Sequence, residues 1–482
     1  MKILYVTSEM VPLASTGGLG DVSGSLPGAL RRLGHDVRVI MPLYKTIKES
    51  YASQLQFVRW SIIRLGWRTM YSGLFQMEVN GVPLYLIDND FYFGHDSLYI
   101  DYSFDIERFS FFQRAVLEAL GEPMDFFPDL LHLNDWQSGM IPVLLESHYQ
   151  KNGYFTDLRT LLTIHNLKHQ GIHGRENVMD LFDLSDDYMT EDKVLKDGSP
   201  NFLKAGIVFA NRVSTVSPTY AKEITTAYFG EGLDQLLLSF GWKLTGILNG
   251  IDTELYDPET DPELVSSYSL KSWMKGKAAC KKALQQECHL PKEPKIPLLS
   301  MVTRLDSQKG LDLLLHILDE LLEEDVQFVL LGTGDPAYEK ALSEIESRHP
   351  GKMRALITYD RLLSRRIYAG ADLFVMPSLF EPCGLSQMIA MRYGTLPLVR
   401  QTGGLADTVE AYNKYEKTGT GFGFLNINAH ELLYTAKEAV ELYREDREAW
   451  SNMVQQAMSG DYSWTRSAKT YETLYEAILE ER

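Results

Sequence analysis

Short apolar runs alternate with amphipathic stretches along most of the chain, the pattern of parallel strands joined by helical crossovers. KILYV at 2–6 predicts a first strand, a glycine-rich turn follows at Gly17–Gly20, residues 21–33 carry helical periodicity, and VRVIMP at 37–42 predicts the next strand. Further strands are expected at 82–87, 130–134, 161–165 and 212–217, each closing on a polar or aromatic cluster. In an open parallel sheet a ligand lies beyond the carboxyl ends of the strands, so those clusters are where chemistry is expected.

The alternation restarts after a break. Residues 241–262 hold Gly241, Gly246, Gly250, Pro258 and Pro262 without helical periodicity, which suits a connection between domains. Beyond it, 297–303, 326–332, 373–377 and 396–399 read as strands, 310–324 as an amphipathic helix, and another helix is expected near Leu385–Arg392. The tail from His430 is strongly helical, with a break at Gly460-Asp461-Tyr462. The predicted fold class is α/β: two Rossmann-like, doubly wound domains, 1–243 and 244–460, with a cleft between them and a final helix, 461–482, returning to the first domain.

Charge and composition remove several function classes. Lys and Arg number 47 against 65 Asp and Glu, a net charge of −18, which disfavours nucleic-acid and anionic-membrane partners. No apolar stretch approaches the roughly 18 residues of a spanning helix, and MKILYVTSE enters strand-like sequence without the regions of a signal peptide, so a cytoplasmic protein is expected. Three cysteines, Cys280, Cys288 and Cys383, are too few and too scattered for a disulfide framework or a four-ligand zinc site, and H-E-x-x-H is absent. No G-x-G-x-x-G occurs, and the second strand ends in Val39-Ile40-Met41-Pro42 with no ribose-binding acid, which argues against a nicotinamide dehydrogenase.

Candidate chemistry clusters at strand ends. Gly17-Gly18-Leu19-Gly20-Asp21 can offer unhindered amides to a phosphate at a helix N-terminus, though the same glycines suit a tight turn. Arg304 and Lys309 lie five apart across a strand-to-helix turn, within reach of one diphosphate or simply solvated. In the segment 378–407, Glu381 precedes Pro382-Cys383-Gly384-Leu385, with a helix expected to start at Gly384, and Thr402-Gly403-Gly404-Leu405 repeats a strand–turn–helix arrangement. An acid there suits sugar or ribose hydroxyls, and the amides suit phosphate. His165-Asn166 and Asp135-Trp136-Gln137 close neighbouring strands, the latter setting an acid beside an aromatic ring suited to a sugar face.

Together these motifs resemble the bacterial glycogen synthases and plant starch synthases, retaining glucosyltransferases of the GT-B fold. The likeness covers essentially the whole chain and includes Asp88-Asn89 with Leu98-Tyr99, Phe202–Gly206, Val216–Ala221, Gly246–Asp252 and Tyr462-Ser463-Trp464. The resemblance implies that Arg304 and Lys309 meet the donor diphosphate, Glu381 with Cys383, Gly384 and Leu385 the donor sugar and phosphate, and His165 with Asp135 the reacting glucose. It places Asn249 against the glucose and gives Tyr99 and Tyr359 to the cleft and nucleotide pocket. Ser15, Gly17, Gly18, Asp21, Asn166, Thr402 and Gly403 complete the implied substrate-binding set. The implied reaction moves glucose from ADP-glucose, or from UDP-glucose, to the non-reducing 4-hydroxyl of an α-1,4-glucan with retention, using neither metal nor cofactor. No carboxylate is assignable as a covalent nucleophile, so the family's same-face substitution is expected, with the departing phosphate helping to deprotonate the acceptor.

One position departs from the pattern. The family's first loop reads Lys-x-Gly-Gly-Leu, whereas this chain has Ser15-Thr16-Gly17-Gly18-Leu19, so a cation expected at the donor phosphate is missing; Lys168 is the nearest candidate substitute. Ile389 also stands where many related glycosyltransferases carry a second glutamate. Two other readings stay open: a glucan-binding or initiation paralogue with weak elongation, and a related glycosyltransferase with another acceptor. Oligomeric state is not legible in the sequence.

Overall fold

Nine strands build the first sheet: β1 (Lys2–Val6), β2 (Asp36–Pro42), β3 (Gln56–Leu65), β4 (Arg68–Val79), β5 (Val82–Asp88), β6 (Leu130–Asn134), β7 (Arg159–Ile164), β8 (Arg212–Thr215) and β9 (Leu244–Gly246). Their spatial order is β9-β8-β7-β6-β1-β2-β5-β4-β3. All neighbours are parallel except the pairs β3–β4 and β4–β5, so a hairpin extends one edge. Strand β6, next to the middle strand β1, is buried along its whole length, as expected where helices cover both faces of a parallel sheet. Chain progression reverses between β1 and β6, and a ligand crevice is expected beyond the carboxyl ends at such a point.

The second sheet is wholly parallel: β10 (Leu298–Val302), β11 (Gln327–Leu331), β12 (Met353–Leu356), β13 (Leu373–Met376), β14 (Leu396–Arg400) and β15 (Phe422–Phe424), in the order β12-β11-β10-β13-β14-β15. Its reversal lies between β10 and β13. This computed structural model describes residues 1–481, which divide into one unit of Met1–Asn249 with the segment from Trp464, and a second of Gly250–Ser463.

Several elements differ from the sequence-based expectation, each for a physical reason. The hairpin β3–β4 is unannounced by any continuous apolar run, because its strands alternate buried and exposed positions on a sheet edge. Its two-residue turn at Gly66-Trp67 uses a glycine at φ +61°. Part of the expected connection forms β9, which pairs with β8, so the first unit extends through Asn249. The first helix runs Gly18–Arg32 and thus starts inside the glycine run, three residues before the periodicity does. Similarly, Gly384 precedes its helix, which spans Ser386–Arg392, and itself adopts φ +71°.

The final helix, Trp464–Glu480, buries Trp464, Ser467, Ala468, Tyr471, Tyr475 and Ile478, a stripe at helical spacing that packs on the first helix and on β7. The hydroxyl of Tyr475 meets Nδ1 of the fully buried His132 on β6 at 2.7 Å, and Thr163 Oγ1 takes the other ring nitrogen at 2.7 Å. His35 and Glu472 close the same interface at 2.9 Å. No helix among the described residues is long and apolar enough to cross a membrane.

Candidate active site

In the first unit most candidate residues follow β1, β6 and β7, on the two sides of the reversal, while Tyr99 follows β5 and Asn249 follows β9. Asp135 directly follows β6 and has φ +54°, ψ −170°, a region nearly reserved for glycine. Such a conformation costs about 1–3 kcal/mol and persists only where the surroundings over-determine it. Here its carboxylate accepts the His165 N–H at 2.7 Å and the Asn166 N–H as well. Burial pushes the Asp135 carboxyl up to about 7 despite those two donors, and the nearby Glu9 charge pushes the same way.

His165, half-buried, sets Nε2 2.8 Å from Asn134 Oδ1. Asn134 Nδ2 donates to the Val6 carbonyl, so its oxygen is the acceptor and also takes the Tyr5 hydroxyl at 3.0 Å. This network assigns the proton to His165 Nε2 and leaves Nδ1 as an acceptor. Burial pushes the imidazole down to about 3, so the ring is neutral at physiological pH.

The glycine loop is held from β1. Thr16 donates its N–H to Glu9 Oε2 at 2.6 Å and its hydroxyl to Glu9 Oε1 at 2.8 Å. A Cβ added to Gly17 or Gly18 would meet nothing within 4 Å, and neither has a positive φ, so nothing in the fold demands glycine there. Ser15 is exposed, turns its hydroxyl to the Gly17 carbonyl at 3.1 Å and packs against Gly20. Asp21 occupies the first turn of that helix. Tyr99 donates its hydroxyl to Glu9 Oε1 at 2.8 Å. Lys168 is exposed on the loop beyond His165. Asn249, 5% exposed, leaves its Oδ1 buried without a hydrogen-bond partner.

One expectation fails outright. Trp136 is buried, meets Phe109 edge-on at 5.4 Å and lies against Gly171, so it is a core side chain and no sugar platform.

In the second unit the candidate residues follow β10, β13 and β14. Lys309 Nζ meets Glu381 Oε2 at 2.7 Å, and that oxygen also accepts the Ser378 hydroxyl at 3.0 Å. Glycines permit this closeness: a Cβ on Gly403 would lie 2.0 Å from the Glu381 carbonyl oxygen, and one on Gly310 2.0 Å from that of Pro377. Gly404 packs equally tightly on Cys383 and donates its N–H to the Glu381 carbonyl at 3.1 Å. Thr402 and Cys383 are buried within this interlock, and Leu385 caps the helix that follows. Arg400 braces it, donating to the carbonyls of Ser378, Leu379 and Leu425. Arg304 and Tyr359 stand apart; the former's side chain is 64% exposed, its guanidinium 3.7 Å from Asp306, and the latter is 80% exposed.

Sequence reasoning missed Glu9, Asn134, Gln137, Ser378 and Arg400. Glu9 was findable, since it follows the first strand by three residues and the rule that strand ends carry chemistry applies to it equally. Gln137 and Ser378 lie within motifs already singled out but were given no role, whereas Asn134 and Arg400 act through partners distant in sequence and leave no local signal. No group of three or more His, Cys, Asp and Glu side chains among the described residues is arranged to hold a metal ion.

Comparison with known proteins places the chain in a family. A model of the starch synthase catalytic domain matches residues 2–239, and one of group 1 glycosyl transferases matches 285–457. The chain is 47% identical over 479 residues to the glycogen synthase of Clostridium novyi (strain NT), covering 99% of each. It is 48% identical to that of Geobacillus thermodenitrificans (strain NG80-2), covering 99% of this chain and 98% of the relative. Among solved structures, it resembles the catalytic domain of starch synthase IV from Arabidopsis thaliana bound to ADP and acarbose, with a TM-score of 0.92, 35% identity and coverage of 100% and 99%. Sucrose-phosphate synthase from Thermosynechococcus elongatus, at 18% identity and a TM-score of 0.64, shares the fold, which is GT-B.

Proposed function

The chain belongs to the glycogen and starch synthase family of glycosyltransferases, and from that premise we propose that it is a cytoplasmic enzyme transferring glucose from ADP-glucose to the non-reducing 4-hydroxyl of an α-1,4-glucan with retention at C1. The observation that carries the reading is full-length identity near one half with glycogen synthases. The ADP and acarbose held by the starch synthase IV structure support an adenine donor and a glucan acceptor.

The chemistry asks for stabilised negative charge at a departing diphosphate and for hydroxyl partners around a sugar gaining positive character at C1. Arg304, exposed beside Asp306, and Lys309, held by Glu381, supply the cations. Glu381 orients Lys309 and receives donor hydroxyls; Gly384 and Leu385 bring backbone amides to the sugar and phosphate at the start of the following helix, and Cys383, Thr402 and Gly403 form the interlocked turn that holds them. Gly17 and Gly18, exposed at the N-terminus of the first helix, present amides to the diphosphate with no side chain to hinder its approach, the use that explains glycine where packing does not require it. His165 accepts a glucose hydroxyl at Nδ1 and, being neutral, transfers no proton as an acid. Asp135 holds the His165 and Asn166 amides and is a positioning residue for that turn. Asn249 Oδ1, buried and unpartnered, accepts a further glucose hydroxyl. Tyr99 steadies the glycine loop, and Tyr359 offers an exposed ring to the nucleotide base.

The test is donor-resolved turnover on a glycogen primer. ADP release with elongation of α-1,4 chains, faster with ADP-glucose than with UDP-glucose, is the expected result. Glucan binding without elongation from either donor would favour a non-elongating paralogue, a reading kept alive by Ser15 in place of the loop lysine.

A further inference from the structure

We propose that Glu9 is a positioning residue for donor binding, coupling the glycine loop to the turn at Asp135–Gln137 through hydrogen bonds; this rests on the donor reading above. Glu9 is 4% exposed, and its two oxygens collect three donors: the Thr16 N–H at 2.6 Å, the Thr16 hydroxyl at 2.8 Å and the Tyr99 hydroxyl at 2.8 Å. Tyr99 in turn accepts Gln137 Nε2 at 3.2 Å and lies 3.2 Å from Ser8 Oγ. A continuous path therefore runs from Thr16 through Glu9 and Tyr99 to Gln137, two residues past the strained Asp135.

Stability alone gives no reason for this carboxylate. Burying a charge is costly unless it is paired, and among the described residues no lysine or arginine pairs with Glu9. Thr16 is exposed, so water could satisfy its N–H and hydroxyl. What the carboxylate achieves is to fix the residue immediately before Gly17 and Gly18, exposed glycines whose amides stand at the start of the first helix. With serine at position 15, the orientation of those amides is the loop's remaining means of holding a phosphate, and Glu9 sets it.

Three variants test this, read by the KM for ADP-glucose, by kcat, and by the rise in melting temperature that ADP gives. Glu9→Ala should raise the donor KM by about tenfold or more and shrink the ADP-induced rise, the consequence of losing hydrogen bonds to a charged group. Glu9→Gln should recover most of this, because its carbonyl can keep the Thr16 N–H while both hydroxyls turn to accept from its amide. Thr16→Val, at an exposed position where folding is not at stake, should raise the donor KM severalfold, and its effect should not add to that of Glu9→Ala. A donor KM within twofold of wild type in both Thr16→Val and Glu9→Ala would overturn the proposal. So would a lower melting temperature of the ligand-free protein with an unchanged donor KM, which is the mark of a merely structural role. If Glu9→Ala does not fold, an unchanged donor KM in Thr16→Val is sufficient to overturn it. Absence of ADP-glucose turnover in the wild type would sink the donor reading and this proposal with it, whereas wild-type turnover with unmoved variants sinks this proposal alone.

Discussion

The two sheets carry their candidate residues at equivalent topological points yet build them by different means. Beyond β6 and β7, burial pushes polar groups toward their neutral forms: Asp135, strained at positive φ, has its carboxyl pushed up to about 7, and His165 is pushed down to about 3. Beyond β10, β13 and β14, glycines let backbone segments interlock, and formal charge is carried by the Lys309–Glu381 pair, the buried Arg400 and the exposed Arg304. The first construction suits hydroxyl recognition, where desolvated neutral partners discriminate by geometry. The second suits a diphosphate, which calls for cations held ready at the place where charge develops. One fold, used twice, supports opposite electrostatic designs because side chains at strand ends are free of the packing constraints that shape the sheet.

The largest effect should come from breaking the charged side of that contrast. Lys309→Ala and Glu381→Ala should each lower kcat/KM roughly 100–1,000-fold. Position in sequence alone would leave stability untouched, but the pair's side chains are only 16% and 9% exposed, so each single variant strands a largely buried charge and should cost up to about 3 kcal/mol. The double variant Lys309→Met with Glu381→Leu should regain stability in thermal melts while remaining inactive; continued instability would mean that the pair is structurally required.

Glycines separate the two regions next. Gly403→Ala places a Cβ 2.0 Å from the Glu381 carbonyl oxygen at a residue with φ +45°, and should destabilise the protein by about 1–3 kcal/mol while displacing Glu381. Gly18→Ala meets nothing within 4 Å and should leave the melting temperature unchanged or slightly raised, yet lower kcat/KM about tenfold through the donor KM. Equal effects on stability and activity in both would erase the distinction drawn here.

Protonation gives a further test, with the sign set by linkage. Because Asp135 in the folded protein is pushed up to about 7, the folded state binds more protons than the unfolded chain between about pH 4 and about pH 7, and stability falls as pH rises through that window. Asp135→Asn should remove that fall, melting later than wild type at about pH 8, by up to roughly 4 kcal/mol, and alike at about pH 4. His165 acts oppositely: pushed down to about 3, it adds stability that is lost as pH drops from about 6.5 toward about 3. Replacing His165 with Asn should flatten that acid limb in melts recorded across the same range.

The smallest effect concerns position 15. Ser15→Lys adds the cation of the family pattern beside a carboxylate, Glu9, that lacks a cationic partner among the described residues. The donor KM should fall severalfold, and the gain should shrink as salt rises. A higher KM would mean that the loop is already complete without a charge and that the lysine is captured by Glu9.

Much of the site was legible as sequence because strand ends and glycine runs have local signatures. Arg304, Glu381, His165 and Asp135 follow apolar runs and Lys309 ends the turn after one, and topology carries such positions to the carboxyl edge of their own parallel sheet. The sequence by itself determined the alternating elements, the doubly wound sheets and the candidate positions, since each depends on periodicity or on residues adjacent in the chain. Only the tertiary structure decided that Trp136 is core, that Gly403 is required by contact whereas Gly18 is not, that Lys309 pairs with Glu381, and that Glu9 reaches Thr16 and Tyr99. Each of these is a relation between segments far apart in the chain, and burial, protonation and close approach are properties of what surrounds a residue, which its sequence neighbours do not fix.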